Sequence, residues 1–327
     1  MLYYIKLLRP LNLLMIALTM ILFRISIVSA SPYELFLLKP VLTNFQFALL
    51  VIITLLVAAG GYVINDVFDA DIDAINKPES VIINNYIPDI SAYNFYKILC
   101  IIAFILTIVL AILTKSYRLS MFPVIIIVLL NFYAQTFKKQ LLIGNIIISL
   151  CAASVLWLIA FYESGQDMSV TPDETYVSGG IAIGAMVYGL FAFLTTFIRE
   201  VVKDCEDVVG DEQFACNTVP VKWGFKGAKR LLYLLYILLF LFTISFVFFF
   251  KAINIIYPIK YIVVILILPV IVLLFFTIKA QTKSNYHLLS NLIKAYMLMG
   301  ILTMLYFRMG IGPYIFTQYV NYLEKLF

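Results

Sequence analysis

The sequence has little charge and few of the side chains that carry most enzyme chemistry. Charged residues make up 13% of its 327 residues, and His287 is the only histidine. A lone histidine without partners is a poor general base. So little charge excludes an ordinary soluble globular protein, and we expect no nucleic-acid partner. The cysteines show no metal-ligand spacing, so we expect buried or idle thiols at these positions: Cys100, Cys151, Cys205 and Cys216.

Long apolar runs take the place of charge. Hydrophobic residues make up 64% of the chain, and apolar runs of about 18–25 residues, long enough to span a bilayer as helices, recur from end to end. The first run has no clear cleavage site, so we expect an uncleaved helix rather than a signal peptide. The pattern predicts an all-α integral membrane protein with nine transmembrane helices in one domain, 1–327. The predicted spans are 10–29, 44–64, 94–114, 119–137, 141–161, 177–198, 231–250, 260–279 and 292–309.

The distribution of lysine and arginine predicts the orientation of these spans. If the N-terminus is cytoplasmic, the cytoplasmic edge collects fifteen of the 23 basic residues and the other edge eight. The positive-inside rule favours this orientation. We therefore expect a multi-pass protein of the cell (inner) membrane with a cytoplasmic N-terminus, whose acidic segment 162–176 lies outside.

Acidic residues are concentrated at the cytoplasmic ends of two spans. Twelve of the 18 lie in 66–89 and 200–212. On a helix, Asp66, Asp69 and Asp73 have the spacing i, i+3, i+7, which places their carboxylates on one face, whereas Asp71 falls roughly opposite. We call these three residues the first stripe. Ionisable groups in membrane helices are costly and usually functional.

The same spacing recurs far downstream, in a second stripe made of Asp204, Asp207 and Asp211, which Glu200 extends by one turn. Carboxylates without cysteine or histidine select hard, oxygen-preferring cations, so the predicted cofactor is Mg²⁺. Two facing stripes suit a diphosphate, because bound ions neutralise the charge on a departing pyrophosphate. The polar segments 66–92 and 203–229 follow the stripes and are predicted to cap a membrane-embedded cavity on the cytoplasmic side.

The stripes resemble the two aspartate motifs of the UbiA superfamily of membrane prenyltransferases. The superfamily's first motif, N-D-x-x-D-x-x-x-D followed by N-K-P, is matched position by position, and Lys203 precedes the second stripe as in the second motif. The resemblance covers nearly the whole chain and implies helices around a central cavity. It also implies that the six aspartates are catalytic, holding Mg²⁺ that binds a prenyl diphosphate. The residues matching the first motif are Asn65, Asp66, Asp69, Asp73, Asn76, Lys77 and Pro78.

Further elements point to diphosphate ligands. The run Arg9-Pro10-Leu11-Asn12 resembles a superfamily element whose asparagine faces the cavity, and the element from Tyr133 to Lys138-Lys139, followed by Gly144-Asn145, resembles one whose basic residue contacts the diphosphate. Arg199 and Lys203 lie one turn apart beside the second stripe; ordinary membrane anchoring or structural pairing is the alternative for these cations. The predicted diphosphate-binding residues are Asn12, Asn65, Tyr133, Lys138, Arg199 and Lys203.

Ionisation of an allylic diphosphate leaves a delocalised carbocation, which needs a dry, aromatic-lined pocket. Tyr62 shares the helical face of Asp66 and is a candidate for cation–π contact, although packing is the commoner role for such a residue. The second motif and the run Thr218-Val219-Pro220-Val221 look like the branch that adds a geranylgeranyl group to geranylgeranylglyceryl phosphate. One departure is that Glu79-Ser80 follows Pro78 where the superfamily often has Arg-Pro, so one basic contact is missing.

The predicted function is therefore Mg²⁺-dependent transfer of a prenyl group, geranylgeranyl in the favoured branch, from its diphosphate to a lipophilic acceptor. Two alternatives stay open. One is a quinone-pathway prenyltransferase with an aromatic acceptor. The other is a cation-coupled transporter, which favours acids near the bilayer midplane and broken helices, whereas these acids cluster at one edge.

Overall fold

The computed structural model describes residues 2–29, 40–163, 172–252 and 257–306, and these ranges are almost entirely helical. A π-helical turn, Arg24–Val28, continues α2, and another, Val263–Ile267, joins α9 to α10. The α-helices are α1 (Leu2–Leu7), α2 (Pro10–Phe23), α3 (Asn44–Asn76), α4 (Asp89–Thr114), α5 (Met121–Gln135), α6 (Ile143–Glu163), α7 (Pro172–Gln213), α8 (Val219–Ala252), α9 (Tyr257–Ile262), α10 (Leu268–Lys279) and α11 (Lys283–Tyr306).

The helical architecture confirms the predicted membrane fold. Within the described ranges, eight helical segments are long and apolar enough to cross a membrane, and α5 is a shorter apolar helix. They correspond to the nine predicted spans, the last of which ends outside the described residues. Large apolar side chains cover much of the outer surface, as a lipid-facing helix requires. On α4 the exposed ones include Ile98, Ile101, Ile105, Ile108 and Ile112.

Two helices are longer than the sequence predicts. α3 begins with a capping box between Thr43 and Gln46 and runs for 33 residues, which at 1.5 Å per residue is about 50 Å. The hydrocarbon core of a bilayer is only about 30 Å thick. α7 is longer still, at 42 residues. Both stripes therefore lie on the last turns of continuous helices.

The polar segments after the stripes are only partly loops. In 66–92, α3 continues to Asn76, a 3-10 turn covers Pro78–Ser80, and one isolated bridge joins Ile83 to Ile87 before α4. In 203–229, α7 continues to Gln213 and α8 starts at Val219, with non-helical geometry at Gly224. Whether either segment caps the cavity stays a prediction.

An ion pair is buried at the end of the bundle away from the stripes. Arg24 pairs with Glu163 and donates to the carbonyl of Leu42, while the backbone N–H of Val41 donates to Glu163 at 2.8 Å. Glu163 belongs to the segment 162–176 that is predicted to lie outside; it is the last residue of α6 and is 2% exposed. Residues 164–171 of the segment lie outside the described ranges.

The ends of α3 and α7 are joined by one close contact. The backbone N–H of Gly210 donates to the side-chain oxygen of Asn76 at 2.8 Å. A Cβ atom on Gly210 would lie 2.5 Å from the side-chain nitrogen of Asn76, which is closer than real Cβ atoms come to a neighbour. Only glycine allows this approach, so the contact fixes how the two stripes meet.

We expect Gly210→Ala to destabilise the protein by roughly 1–3 kcal/mol, because the added methyl group overpacks the contact with Asn76. The measurement is the apparent thermal unfolding midpoint in detergent. Gly180→Ala is the matched control: it lies on the same helix with nothing within 4 Å of the added Cβ, and alanine stabilises an open helical position by about 0.5–1 kcal/mol. Equal midpoints for the two variants would contradict the role of the Asn76 contact.

Candidate active site

The first stripe faces the interior, as its spacing predicts. Asp69 is 4% exposed, whereas Asp71 is exposed on the opposite face. Arg9, at the start of α2, pairs with Asp66 at 2.5 Å. The carboxylate of Asp69 accepts hydrogen bonds from Lys138 and, at 2.5 Å, from the amide of Asn65. Two cations from distant segments therefore hold the first two carboxylates of the stripe.

The second stripe is held by an amide and by a lysine that follows the first stripe. Lys77 Nζ lies 2.7 Å and 2.8 Å from the two carboxylate oxygens of Asp207. Asn145 donates to Asp204 at 2.9 Å. Its neighbour Gly144 packs against the backbone of 137–138, where an added Cβ would lie 3.0 Å from Lys138 Cα. The Gly-Asn pair thus places one amide against the second stripe and brings the Lys138 turn close to it.

The two stripes face each other across a narrow gap. Asp73 on α3 repels Asp207 on α7, and Asp211 in turn repels Asp69. Lys138 attracts carboxylates of both stripes, including Asp73 and Asp211. Of the six aspartates that the sequence singled out, the structure brings Asp69 and Asp73 of the first stripe near Asp207 and Asp211 of the second.

The lysines beside the stripes stay protonated. Burial acts to lower the pKa of Lys138, but the attractions of Asp69, Tyr133 and Asp73 together outweigh it and hold the pKa above its usual value. Lys77 behaves in the same way: burial acts to lower its pKa, and the attraction and hydrogen bond of Asp207 raise it. Both side chains therefore remain fixed positive charges throughout the physiological pH range.

A cavity of about 300 Å³ lies in the helical bundle beside the stripes. None of the six aspartates lines it, but Arg9, Asn65 and Lys138, which contact the first stripe, do. Its walls come from α2, α3, α5, α6, α7 and α11. The half away from the stripes is apolar, with Phe122, Ile126 and Leu130 on one face of α5. Tyr62 also lines the cavity, and its ring lies 5.2 Å from the guanidinium of Arg9. The polar end contains every predicted diphosphate-binding residue: Asn12, Asn65, Tyr133, Lys138, Arg199 and Lys203.

Arg199 and Lys203 contact an acid that belongs to the cavity rather than to the second stripe. Glu200 lines the cavity and is 9% exposed. Arg199 donates to its carboxylate at 2.7 Å, and Lys203 Nζ lies 3.9 Å from it. Both cations therefore make a structural ion pair, as the alternative interpretation predicted. Each also borders the cavity, so a role in ligand binding remains open to both.

Sequence reasoning missed three residues of the site. In the sequence, Arg9 was only the first residue of the element that ends in Asn12, and Asn145 was only the second residue of a Gly-Asn pair. In the structure, Arg9 contacts Asp66 and Asn145 contacts Asp204. Lys294 on α11 also lines the polar end of the cavity. A lysine in an otherwise apolar span was the available signal.

The donor atoms at the stripes fit a hard divalent cation. Within the described ranges, Asp73, Asp204 and Asp211 have no cation at ion-pair distance, and Lys138 and Lys203 attract them only from farther away. The side-chain oxygen of Asn65 is buried with no hydrogen-bond donor among these residues. No three carboxylates of the described chain converge closely enough to form a ready-made metal site. Oxygen donors from carboxylates and an amide are nevertheless the set that Mg²⁺ prefers, with substrate oxygens and water completing its coordination.

Comparisons with known proteins agree with this geometry. The sequence profile described as the UbiA prenyltransferase family matches residues 26–294. A digeranylgeranylglyceryl phosphate synthase from Sulfurisphaera tokodaii is 33% identical over 243 residues, covering 74% of this chain and 80% of that protein.

Solved structures are similar over nearly the whole chain. One, whose subject is digeranylgeranylglyceryl phosphate synthase in membranes, superposes with a TM-score of 0.62 at 25% identity and covers 92% of this chain and 96% of that one. A UbiA homologue from Archaeoglobus fulgidus bound to GPP and Mg²⁺ has a TM-score of 0.55 at 14% identity, covering 92% and 99%. The second likeness shows the fold alone.

We expect Mg²⁺ to raise the apparent thermal unfolding midpoint of the EDTA-treated protein, because a ligand that binds only the folded state stabilises it. Asp73→Asn should lose most of that shift, since it removes a stripe carboxylate that has no cation at ion-pair distance. Asp71→Asn removes the same charge two positions away, on the exposed face of α3, and should keep the full shift. A shift of equal size in all three proteins would place the cation elsewhere.

Proposed function

The chain belongs to the UbiA prenyltransferase family, and we propose that it transfers a geranylgeranyl group from geranylgeranyl diphosphate to the hydroxyl of geranylgeranylglyceryl phosphate. It is an integral, multi-pass membrane enzyme of the prenyltransferase class. The observation that carries the proposal is the pair of facing aspartate stripes at the polar end of an apolar cavity. The synthase from Sulfurisphaera tokodaii, similar over most of the chain, supports the acceptor.

In the proposed reaction, the bond between C1 of the prenyl group and the diphosphate oxygen breaks, and its electron pair leaves with the diphosphate. The acceptor's hydroxyl oxygen then forms a bond to C1, and its proton passes to the released diphosphate. The stripes are proposed to hold Mg²⁺, which supplies Lewis-acid neutralisation of the charge on the departing diphosphate. The proposed metal-binding and catalytic residues are Asp66, Asp69, Asp73, Asp204, Asp207 and Asp211.

The chain's own residues would position and screen the reacting groups. Lys138 lies between the stripes as a fixed cation, and we propose that it donates to diphosphate oxygens, with Asn65 and Asn12 beside it. Arg9 occupies the cavity face of Tyr62 and holds Asp66 in place. The apolar face of α5 gives the prenyl tail a dry surface, where the developing allylic cation is protected from water.

We also propose that the site opens to the cytoplasm, in the cell (inner) membrane. The proposal rests on the excess of lysine and arginine at the edge that carries the stripes. The UbiA homologue solved with GPP and Mg²⁺ supports a prenyl diphosphate and a divalent cation as ligands of this fold.

The acceptor is tested by a transfer assay in membranes with labelled geranylgeranyl diphosphate and Mg²⁺. Geranylgeranylglyceryl phosphate and an aromatic quinone precursor are offered in parallel. We expect label only in the glyceryl phosphate, and none after EDTA, because the diphosphate then loses its counter-charge. Label only in the aromatic ring would keep the site and move the enzyme to quinone synthesis. If neither acceptor is labelled with donors of any chain length, the transferase proposal fails.

Single substitutions test the stripes. We expect Asp66→Asn and Asp207→Asn each to lower kcat at least ~100-fold, which corresponds to about 2.7 kcal/mol of lost transition-state stabilisation. Asp71→Asn, on the opposite face of α3, should leave kcat within twofold of the wild type. Full activity in either stripe variant would remove that stripe from the catalytic site.

A further inference from the structure

The polar end of the cavity carries more positive charge than its acids compensate. One carboxylate, that of Glu200, lines it, against five cations. Two of these, Arg9 and Lys138, are paired with the first stripe. The cations that line the cavity are Arg9, Lys138, Arg199, Lys203 and Lys294.

Among the residues that the structure describes, Glu200 is the single acidic residue in the cavity wall beside the other three cations. Arg199 and Lys203 both contact Glu200. Lys294 makes no hydrogen bond or ion pair with any residue that the structure describes, and Arg199 has a buried side-chain nitrogen, Nε, that finds no acceptor there. Among the residues that line the cavity, these three positive charges face one negative charge, an excess that the attraction between Lys203 and Asp204 of the second stripe reduces.

This excess is costly without a ligand. Lys294 lies within range of repulsion from Arg199, Lys203 and Arg9. Like charges gathered in a part-buried, low-dielectric site repel strongly, and an unpaired buried donor costs its desolvation free energy. An anion of charge near −2 with several acceptor oxygens would satisfy both the excess charge and the free donor.

The wall below Lys294 suits a lipid chain. Along α11, Lys294, Met297, Ile301 and Met304 follow one another at helical spacing, and all four line the cavity. A phosphate bound by Lys294 would thus lie at the head of an apolar track on α11. The α5 track of Phe122, Ile126 and Leu130, which leads up towards Lys138, belongs to a different helix.

We propose that Lys294, Arg199 and Lys203 form a second anion subsite, which binds the phosphomonoester of the lipid acceptor. The inference rests on the proposed function and deepens it by assigning separate cations to the two substrates. Lys138 and the stripes take the diphosphate of the donor, and the α7–α11 cations take the phosphate of the acceptor. Arg199 and Lys203, which the sequence suggested as diphosphate ligands, are thereby assigned to the acceptor.

The test is Lys294→Met, which keeps an unbranched side chain and removes the charge. We expect the KM for geranylgeranylglyceryl phosphate to rise about 10-fold or more, because the phosphate loses a charge-assisted contact. The KM for geranylgeranyl diphosphate should change less than twofold. With geranylgeranylglycerol, which lacks the phosphate, variant and wild type should have equal kcat/KM.

Two variants serve as controls. Lys294→Arg keeps the charge and should restore at least half of the affinity for the phosphorylated acceptor. Lys226→Met removes one positive charge from an exposed position of α8 at the same edge, and it should leave both KM values unchanged. A rise in the KM for the prenyl diphosphate alone, or equal losses with phosphorylated and unphosphorylated acceptors, would overturn the subsite.

A binding measurement separates failure of the subsite from failure of the proposed function. Hexadecyl phosphate should raise the thermal unfolding midpoint of the detergent-solubilised wild type more than hexadecanol does, and Lys294→Met should abolish the difference. If this holds but no glyceryl phosphate is labelled, the subsite stands and the proposed acceptor fails. If label is transferred but the difference persists in Lys294→Met, the function stands and the subsite fails.

Discussion

Six carboxylates repel one another where α3 and α7 meet, and the rest of the site is arranged around that repulsion. Lys138 holds Asp69, Arg9 holds Asp66 and Lys77 holds Asp207. Each cation comes from a different segment, so the charge of the stripes ties α2, the turn after α5 and the end of α3 into one place. The Asn76–Gly210 contact sets how closely the two helix ends approach. Within the described part of the chain, only three of the six carboxylates are ion-paired. The repulsion among the six therefore favours the binding of a further cation.

The cavity separates two kinds of electrostatic need. The stripes beside it have more carboxylates than ion-paired cations, and its α7–α11 wall has more cations than carboxylates. In a low-dielectric interior, the excess negative charge at the stripes and the excess positive charge at the α7–α11 wall are too far apart to neutralise each other fully. A ligand of opposite charge bound at each place would lower the electrostatic free energy there. This division is consistent with the proposed pair of substrates, a metal–diphosphate beside the stripes and a phosphate at the α7–α11 wall. The apolar tracks on α5 and α11 then give each head group its own tail surface.

Much of this arrangement follows from local spacing in the sequence. The i, i+3, i+7 pattern places Asp69 inside and Asp71 outside, and the apolar runs give the helices. Contacts across the fold have no such periodic signature. Arg9 and Asp66 are 57 residues apart, and Asn145 and Asp204 are 59. The buried ion pair between Arg24 and Glu163 could not be predicted from the sequence either, because each charged residue by itself has the pattern of an exposed loop residue. The helix ends were underestimated, since aspartates interrupt hydropathy without interrupting the helix.

The length of α3 has a consequence for how the two products leave the enzyme. A helix that outruns the hydrocarbon layer carries its final turns into the head-group region, so bond cleavage occurs at the boundary between two solvents. At that boundary, the difference in solubility between diphosphate and the prenylated lipid would separate the two products. In the proposed reaction, diphosphate would leave towards water with its counter-ions, and the lipid product would move sideways into the bilayer. Neither product would have to cross the layer that suits the other.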